Sequence, residues 1–207
     1  MTAGSANGNI PEQWFEHKSM LMEASLGREH DLVLHAMFPY AQGGALDQYF
    51  YPHGLPGTAI ATKELSEYPN RGPSNRRYHV YEMVMFTKHA FDRDAALDSE
   101  TPFGRARANM AAILNAIGPY SAEATLNPGD TLEFPPDMGE LGGRCLIVDG
   151  FACHSDEVVK DFGLLVVIEV FRSEMKHARW RRGARLIAKL KDRGYYPYSD
   201  MDREPVA

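Results

Sequence analysis

Residues 164–174 read Leu-Leu-Val-Val-Ile-Glu-Val-Phe-Arg-Ser-Glu, an apolar run that leads directly into a basic segment. Because residues 164–171 contain a single charged side chain, neither face suits water, and the run predicts a strand buried in the middle of its sheet. The segment that follows carries Leu and Ile at helical spacing, which predicts one helix over residues 173–193. Ser173 is the predicted N-cap of this helix, and Gly194 is its predicted stop.

The remaining elements follow from periodicity and turn residues. A helix is predicted over residues 102–117, with Thr101 as its N-cap, Pro102 at the first helical position and Gly118-Pro119 at its end. The other predicted elements are a helix over 11–26 and strands over 31–38, 46–51, 58–65, 78–87 and 144–149. Because strands follow one another early in the chain, we predict an α+β fold, with a single mixed, mostly antiparallel sheet and helices packed against it.

Composition limits the classes of function. The chain has 207 residues, 44% of them hydrophobic, which suits a single domain over residues 11–207 after a disordered lead over residues 1–10. A net charge of −6 and the lack of a membrane-length apolar run argue against nucleic acid and membrane as partners. Cys145 and Cys153, without a recognisable secretory leader, predict free thiols in a cytoplasmic protein.

Motifs for catalysis and cofactor binding are missing from the sequence. No two of the eight histidines stand at i, i+4 or in His-x-His, and neither a Gly-x-Ser-x-Gly elbow nor a phosphate loop occurs, so no metal, cofactor or catalytic residue is predicted. Glu64, Glu82 and Glu169 differ from the other carboxylates because each lies within or at the end of an apolar strand and needs a partner. Three roles are open for them: pairing with a basic residue, accepting hydrogen bonds from a bound peptide, or acting as a general base.

The predicted C-terminal helix is strongly basic. A solvated face opposite the apolar stripe is one interpretation, and a docking surface for an acidic protein partner is another, with nucleic acid third. The basic side chains are Lys176, Arg179, Arg181, Arg182, Arg185, Lys189, Lys191 and Arg193.

Five segments, taken in order, resemble suppressor-of-fused-like domains of the bacterial single-domain type. They are Leu-Asp-Gln-Tyr-Phe-Tyr-Pro at 46–52, the 55–66 segment ending in Glu-Leu-Ser, Tyr-Glu-Met-Val-Met-Phe-Thr at 81–87, Asn-Pro-Gly-Asp-Thr at 127–131, and the terminal Asp-Arg-x-x-Val at 202–206. The resemblance covers about 160 residues from Leu46 onward. Within the terminal signature, Arg203 is predicted to fold back onto a strand carboxylate such as Glu169.

The resemblance implies binding rather than catalysis. The animal protein of this family grips a short segment of a transcription factor, which adds like a strand between two domains. Bacterial single-domain relatives are associated with toxin loci, where an immunity role is inferred. Because this chain has the length of one domain, we do not expect the two-domain clamp within it. We predict a non-enzymatic protein-binding module, with immunity-type inhibition of a cognate toxin as its most specific version.

Strand addition is the predicted mode of binding. The β-rich segments 57–66 and 78–87 flank an exposed connection, and either one offers unpaired backbone groups if it is a sheet edge. The predicted partner-binding residues on these segments are Thr58, Thr62, Glu64 and Glu82. The alternative is a small metal-dependent or carboxylate-based hydrolase built around Glu64, Glu82 and a histidine.

Overall fold

A seven-stranded sheet forms the middle layer of the fold. In the computed structural model, which describes residues 10–207, the strands have the spatial order β1-β2-β3-β4-β7-β6-β5. Neighbouring strands are antiparallel except for β4 and β7, which are parallel, so the predicted α+β class with a mixed, mostly antiparallel sheet is confirmed. The strands are β1 (Val33–Leu34), β2 (Gln48–Tyr51), β3 (Thr58–Ala61), β4 (Val80–Thr87), β5 (Thr131–Glu133), β6 (Cys145–His154) and β7 (Phe162–Val170).

Helices cover both faces of this sheet. One face packs against α1, α3 and α4, and the other packs against α2. Side chains of β4 alternate between the two cores: Val80 and Val84 belong to the first, and Tyr81 and Met83 to the second. The helices are α1 (Ile10–Leu26), α2 (Pro102–Glu123), α3 (Arg172–Arg181) and α4 (Gly183–Asp192). Residues 1–9, nearly all of the predicted N-terminal lead, lie outside the described part of the chain.

Strand β7 occupies the buried interior position that its sequence predicts. All nine of its residues are buried, and it pairs with β4 on one side and β6 on the other. Strand β6 extends to His154, beyond its predicted end at residue 149, because it continues to pair with β7 across a bulge between Gly150 and Ala152. The bulge interrupts the side-chain alternation by which a strand is recognised.

Strand β1 is shorter than the predicted 31–38 strand. Only Val33 and Leu34 pair with β2. The residues after them are held by Asp47, whose carboxylate accepts a hydrogen bond from the Ala36 N–H (2.8 Å) and contacts His35 Nδ1 (2.6 Å). Side-chain bonds thus replace the backbone ladder over the second half of the predicted strand.

Helix α2 begins as predicted but does not end as predicted. The Thr101 hydroxyl accepts a hydrogen bond from the Gly104 N–H (3.0 Å), which caps the helix. The predicted end at Gly118-Pro119 is wrong, because the helix continues to Glu123. Gly118 serves packing instead, since a Cβ at this position would lie 2.7 Å from Leu46 Cδ1. Pro119 stands close to the helix end, where it costs few backbone hydrogen bonds.

The predicted C-terminal helix is two helices. They are separated at Arg182, which has a φ of +73°. At this point the chain approaches another backbone closely: a Cβ on Gly183 would lie 2.0 Å from the Gly129 carbonyl oxygen. The predicted N-cap is also wrong, because Phe171 holds that position and its N–H donates to the Glu174 carboxylate (2.9 Å).

The C-terminal tail folds back onto the start of α3, and Arg203 pairs with a carboxylate there, as predicted. Arg203 donates to both carboxylate oxygens of Glu174, at 2.7 and 2.8 Å, and the Val206 N–H donates to Oε1 at 2.9 Å. The partner is therefore Glu174 and not Glu169. Burial raises the pKa of Glu174, but the hydrogen bonds from Arg203, Val206 and Phe171 outweigh it and hold this pKa below its usual value.

Replacing Val167 by Asp tests the position of β7. The side chain is fully buried, so the variant carries an unpaired carboxylate into the core, and we expect no cooperative thermal transition. Val158→Asp is the matched control, because Val158 is 53% exposed, and its stability should stay within about 0.5 kcal/mol of wild type. A Val167→Asp protein that melts cooperatively near the wild-type temperature contradicts the assignment.

Candidate functional site

The strands that carry the predicted partner-binding residues are not sheet edges. Strand β3 pairs with β2 and β4, and β4 pairs with β3 and β7, so the prediction that either accepts an added strand is wrong. Thr58, Thr62 and Glu82 are at most 1% exposed, which leaves them no direct contact with a partner in this structure. A role for these residues and for the partly exposed Glu64 in binding stays a prediction, and for the buried three it must be indirect.

Glu82 is the centre of a buried polar cluster. Its Oε1 accepts hydrogen bonds from the Ser66 hydroxyl (2.6 Å), the Ser66 N–H (2.9 Å) and Lys18 Nζ (3.1 Å). Its Oε2 accepts from the Thr62 hydroxyl (2.7 Å). Lys18 also donates to the carbonyls of Lys63 and Ser66. The cluster joins α1, β4 and the segment 62–66, and it leaves Glu82 without the open acceptor site that a general base needs.

Lys18→Met tests the contribution of this ion pair to stability. Removing the ammonium leaves the buried Glu82 carboxylate without its counter-charge, so we expect a loss of about 3–5 kcal/mol in the free energy of unfolding. The double variant Lys18→Met/Glu82→Gln should recover much of this loss, because the amide keeps an acceptor oxygen without a charge. Urea titrations measure both changes. A loss below about 1 kcal/mol in the single variant contradicts the assignment.

Glu64 lies beside the buried cluster, and its carboxyl group has a raised pKa. Burial, together with the charge of Glu82, raises its pKa to about 7, and the hydrogen bond from the Tyr49 hydroxyl (2.9 Å) opposes this. The native state therefore binds a proton that the unfolded chain releases at lower pH. Stability from this group is largest at acidic pH and is lost as pH rises towards 7.

The pH dependence of a Glu64→Gln variant tests this shift. Gln is neutral at every pH, so its advantage in melting temperature over wild-type Glu should grow between about pH 5 and pH 8. Glu67→Gln, at an exposed neighbouring carboxylate, serves as the control and should show a flat difference. Equal pH dependence in the Glu64→Gln and wild-type proteins contradicts the raised pKa.

An open cleft lies where the two parallel strands separate. Strands β4 and β7 pair up to Val84 and Val166, and beyond this point the tail enters between them, with the Ser199 N–H donating to the Phe86 carbonyl (2.8 Å). The Ser199 hydroxyl bridges the same gap, because it accepts from the Glu169 N–H and donates to the Val167 carbonyl, both at 3.3 Å. Clefts at the carboxyl ends of parallel strands are common ligand sites in sheet proteins.

This cleft, called here the α2–tail groove, has a volume of about 820 Å³. Its walls are the first half of α2, the tail at residues 199–202, and the connection before β6, while Glu169 of β7 lies in its lining. Apolar side chains and both signs of charge contribute to it. The residues that line it include Phe86, Pro102, Arg105, Ala108, Asn109, Met110, Ala112, Glu140, Leu141, Arg144, Glu169, Asp200 and Met201.

Glu169 is only 7% exposed, yet its carboxylate is only partly satisfied. Oε2 accepts a hydrogen bond from the Asn109 amide (2.8 Å) and lies 3.5 Å from Arg144 Nη1. Both contacts use the same oxygen, and within residues 10–207 no hydrogen bond uses Oε1, so this residue of the groove lining keeps a free acceptor. Of the roles open to Glu169 from the sequence, pairing with a basic residue is observed, and accepting a hydrogen bond from a peptide is compatible with the free oxygen.

A serine–histidine contact lies outside the groove. Ser25 Oγ lies 2.6 Å from His154 Nε2, but the hydrogen bonds recorded over residues 10–207 give this histidine no carboxylate partner to orient it. Within the same residues, His, Cys, Asp and Glu side chains form no group of three that could hold a metal ion. Over that part of the chain, moreover, every helix is too short or too polar to span a bilayer.

The fold is similar to that of solved structures of Suppressor of Fused. A structure described as the Sufu–Fu complex matches with a TM-score of 0.61 at 16% sequence identity, over 95% of this chain and 92% of that chain. The crystal structure of Drosophila Suppressor of Fused matches with a TM-score of 0.54 at 17% identity, over 86% of this chain and 46% of its own length. No family model and no curated protein matches this chain significantly.

These observations define an α+β protein with helices on both faces of the sheet and an open, mixed-polarity groove. Its fold is that of Suppressor of Fused, as the sequence resemblance predicts. This chain spans about half the length of the Drosophila protein. At these levels of identity the likeness concerns the fold, so the binding properties of this chain rest on its own residues.

Proposed function

We propose that this protein is a non-enzymatic protein-binding module that holds an extended segment of a partner in the α2–tail groove. The observation that carries this proposal is the groove itself, with the Glu169 carboxylate in its lining. A volume of about 820 Å³ lies within the range of pockets that accommodate small ligands or a few residues of a peptide. One of the matching structures is a complex between Sufu and Fu, which fits a binding role for the fold.

The chemistry of the groove suits a peptide better than a charged metabolite. Arg105 and Arg144 provide donors on its walls, while Glu169 provides an acceptor. A peptide backbone offers N–H and C=O groups in equal number, so a surface with both kinds of partner complements it. Pro102 and Leu141 add apolar area that side chains of the segment can cover.

An immunity-type inhibitor of a cognate toxin is the most specific version of this proposal, and it places the protein in the cytoplasm. The net charge of −6 favours association with a basic toxin. A hydrolase built on Glu82 has little support, because that carboxylate is fully buried and its oxygens already accept hydrogen bonds from Lys18, Thr62 and Ser66. The Ser25–His154 contact is the remaining basis for an enzyme, and Ser25→Ala would abolish any activity that depends on it.

Blocking the groove tests the proposal. Ala112 lines the groove and is exposed, so Ala112→Trp should fill it without disturbing the core. Selection from a displayed library of random peptides on the wild-type protein provides ligands, whose affinities are then measured by calorimetry. We expect Ala112→Trp to weaken binding by about tenfold or more and Glu169→Gln to weaken it to a smaller extent.

Ala24→Trp is the matched control, because Ala24 is an exposed alanine in a different helix, α1. It should leave the affinities unchanged. Selected peptides that bind Ala112→Trp and wild type equally would place the binding surface elsewhere. The immunity version predicts that a toxin encoded beside the gene binds the wild-type protein and loses its toxicity. A toxin that neither binds nor loses its toxicity contradicts the immunity version but not the peptide-binding proposal.

A further inference from the structure

Trp180 lies on the outer surface of α3 with 76% of its area exposed, whereas Trp14, the other tryptophan of the chain, is 2% exposed. A tryptophan this exposed is unusual in a folded protein, because it leaves a large apolar surface in water. The Arg181 guanidinium lies 3.9 Å from the centroid of the indole ring, in cation–π geometry. The ring is therefore held next to a positive charge at the surface.

Several cations close to Trp180 along the chain have no ion-pair partner within residues 10–207. Lys176 precedes Trp180 by one helical turn and lies on the same face of α3. Arg185 lies in the first turn of α4, where its N–H donates to the Arg182 carbonyl (3.1 Å). Across residues 10–207 no salt bridge forms to Lys176, Arg181, Arg182 or Arg185, whereas Arg172 and Arg179 both pair with Glu133. The only carboxylate within α3, Glu174, is buried.

Arg182 occupies a backbone conformation that suits glycine. Its φ of +73° and ψ of 135° lie in a region that residues with a Cβ rarely adopt, and such positions carry strain. Glycine at this position would permit the same break between α3 and α4 without that strain. Since the chain has arginine here, an exposed positive charge follows Trp180 by two residues, at a cost to the stability of the fold.

We propose that Lys176, Trp180, Arg181, Arg182 and Arg185 form a second binding surface, the Trp180 surface, which takes an acidic peptide segment of a protein partner. The four cations select carboxylates, and the exposed indole packs against an apolar side chain between them. A protein segment fits better than nucleic acid, because the cations occupy one short patch of a chain whose net charge is −6. This surface lies outside the residues of the α2–tail groove and does not depend on the function proposed for it.

Binding of a defined acidic peptide tests the Trp180 surface. The probe is a fluorescein-labelled peptide of four Glu-Glu-Leu repeats, with four Lys-Lys-Leu repeats as its opposite-charge counterpart. We expect the acidic probe alone to bind, with an affinity that falls as salt is raised from about 50 to about 500 mM. Trp180 should become protected from quenching by acrylamide in the unlabelled complex, and Trp180→Phe identifies its part of the signal.

Variants then separate this surface from a general effect of charge. Arg181→Glu/Arg182→Glu should raise the dissociation constant of the acidic probe by about tenfold or more. Arg76→Glu/Arg93→Glu changes the net charge equally at two exposed arginines outside α3 and α4, and it should retain most of the binding. Equal losses in the two double variants, or no binding by wild type, overturn the proposal. Tighter binding of a single-stranded oligonucleotide of equal charge overturns it in favour of nucleic acid.

Arg182→Gly tests the proposal through two quantities that should change in opposite directions, stability and binding. Relief of backbone strain should raise the melting temperature by about 2–4 °C, while loss of the guanidinium should weaken binding of the acidic probe. A variant that is more stable and binds less cannot be explained by misfolding. Unchanged binding, or a lower melting temperature, would show that Arg182 is not held in this conformation for the sake of the surface.

Discussion

The buried ion pair between Lys18 and Glu82 is the interaction on which the rest of this structure depends. Both side chains are at most 2% exposed, and removing two charges from water costs several kcal/mol each unless their hydrogen-bonding groups are satisfied. Here they are satisfied, because Ser66 and Thr62 donate to the carboxylate and backbone carbonyls accept from the ammonium. The pair therefore fixes the position of α1 on the sheet and the course of the chain between β3 and β4.

A second buried ion pair has the same role at the other end of the chain. Glu174 and Arg203 are at most 3% exposed, and Arg203 also stacks against the rings of Phe171 and Tyr195. This pair holds the tail in place after the tail has passed between β4 and β7. Because Ser199 fills the gap where these strands separate, the shape of the α2–tail groove depends on a contact formed outside it.

The sequence predicts correctly those helices and strands whose formation depends on residues close together in the chain. The apolar run of β7 and the Thr101-Pro102 start of α2 are confirmed for this reason. The predicted helix bounds are wrong where contacts between residues far apart in sequence determine the structure. Gly118 packs against Leu46, and Gly183 packs against Gly129. Lys18 could have been recognised as the partner of a strand carboxylate, because it lies on the core-facing side of α1, one turn after Trp14.

Glu169 is the residue of the groove that the sequence indicates, because it is a carboxylate within an apolar strand. The walls of the groove come from segments that are far apart in sequence, so its shape could not be predicted. What separates Glu169 from the other buried carboxylates is the state of its two oxygens. Both oxygens of Glu82 and of Glu174 accept hydrogen bonds from the protein, so these two carboxylates need no partner from outside the fold. Glu169 uses Oε2 alone. Because Glu169 lies in the lining of the groove, its second oxygen is open to a donor from a molecule that enters the groove.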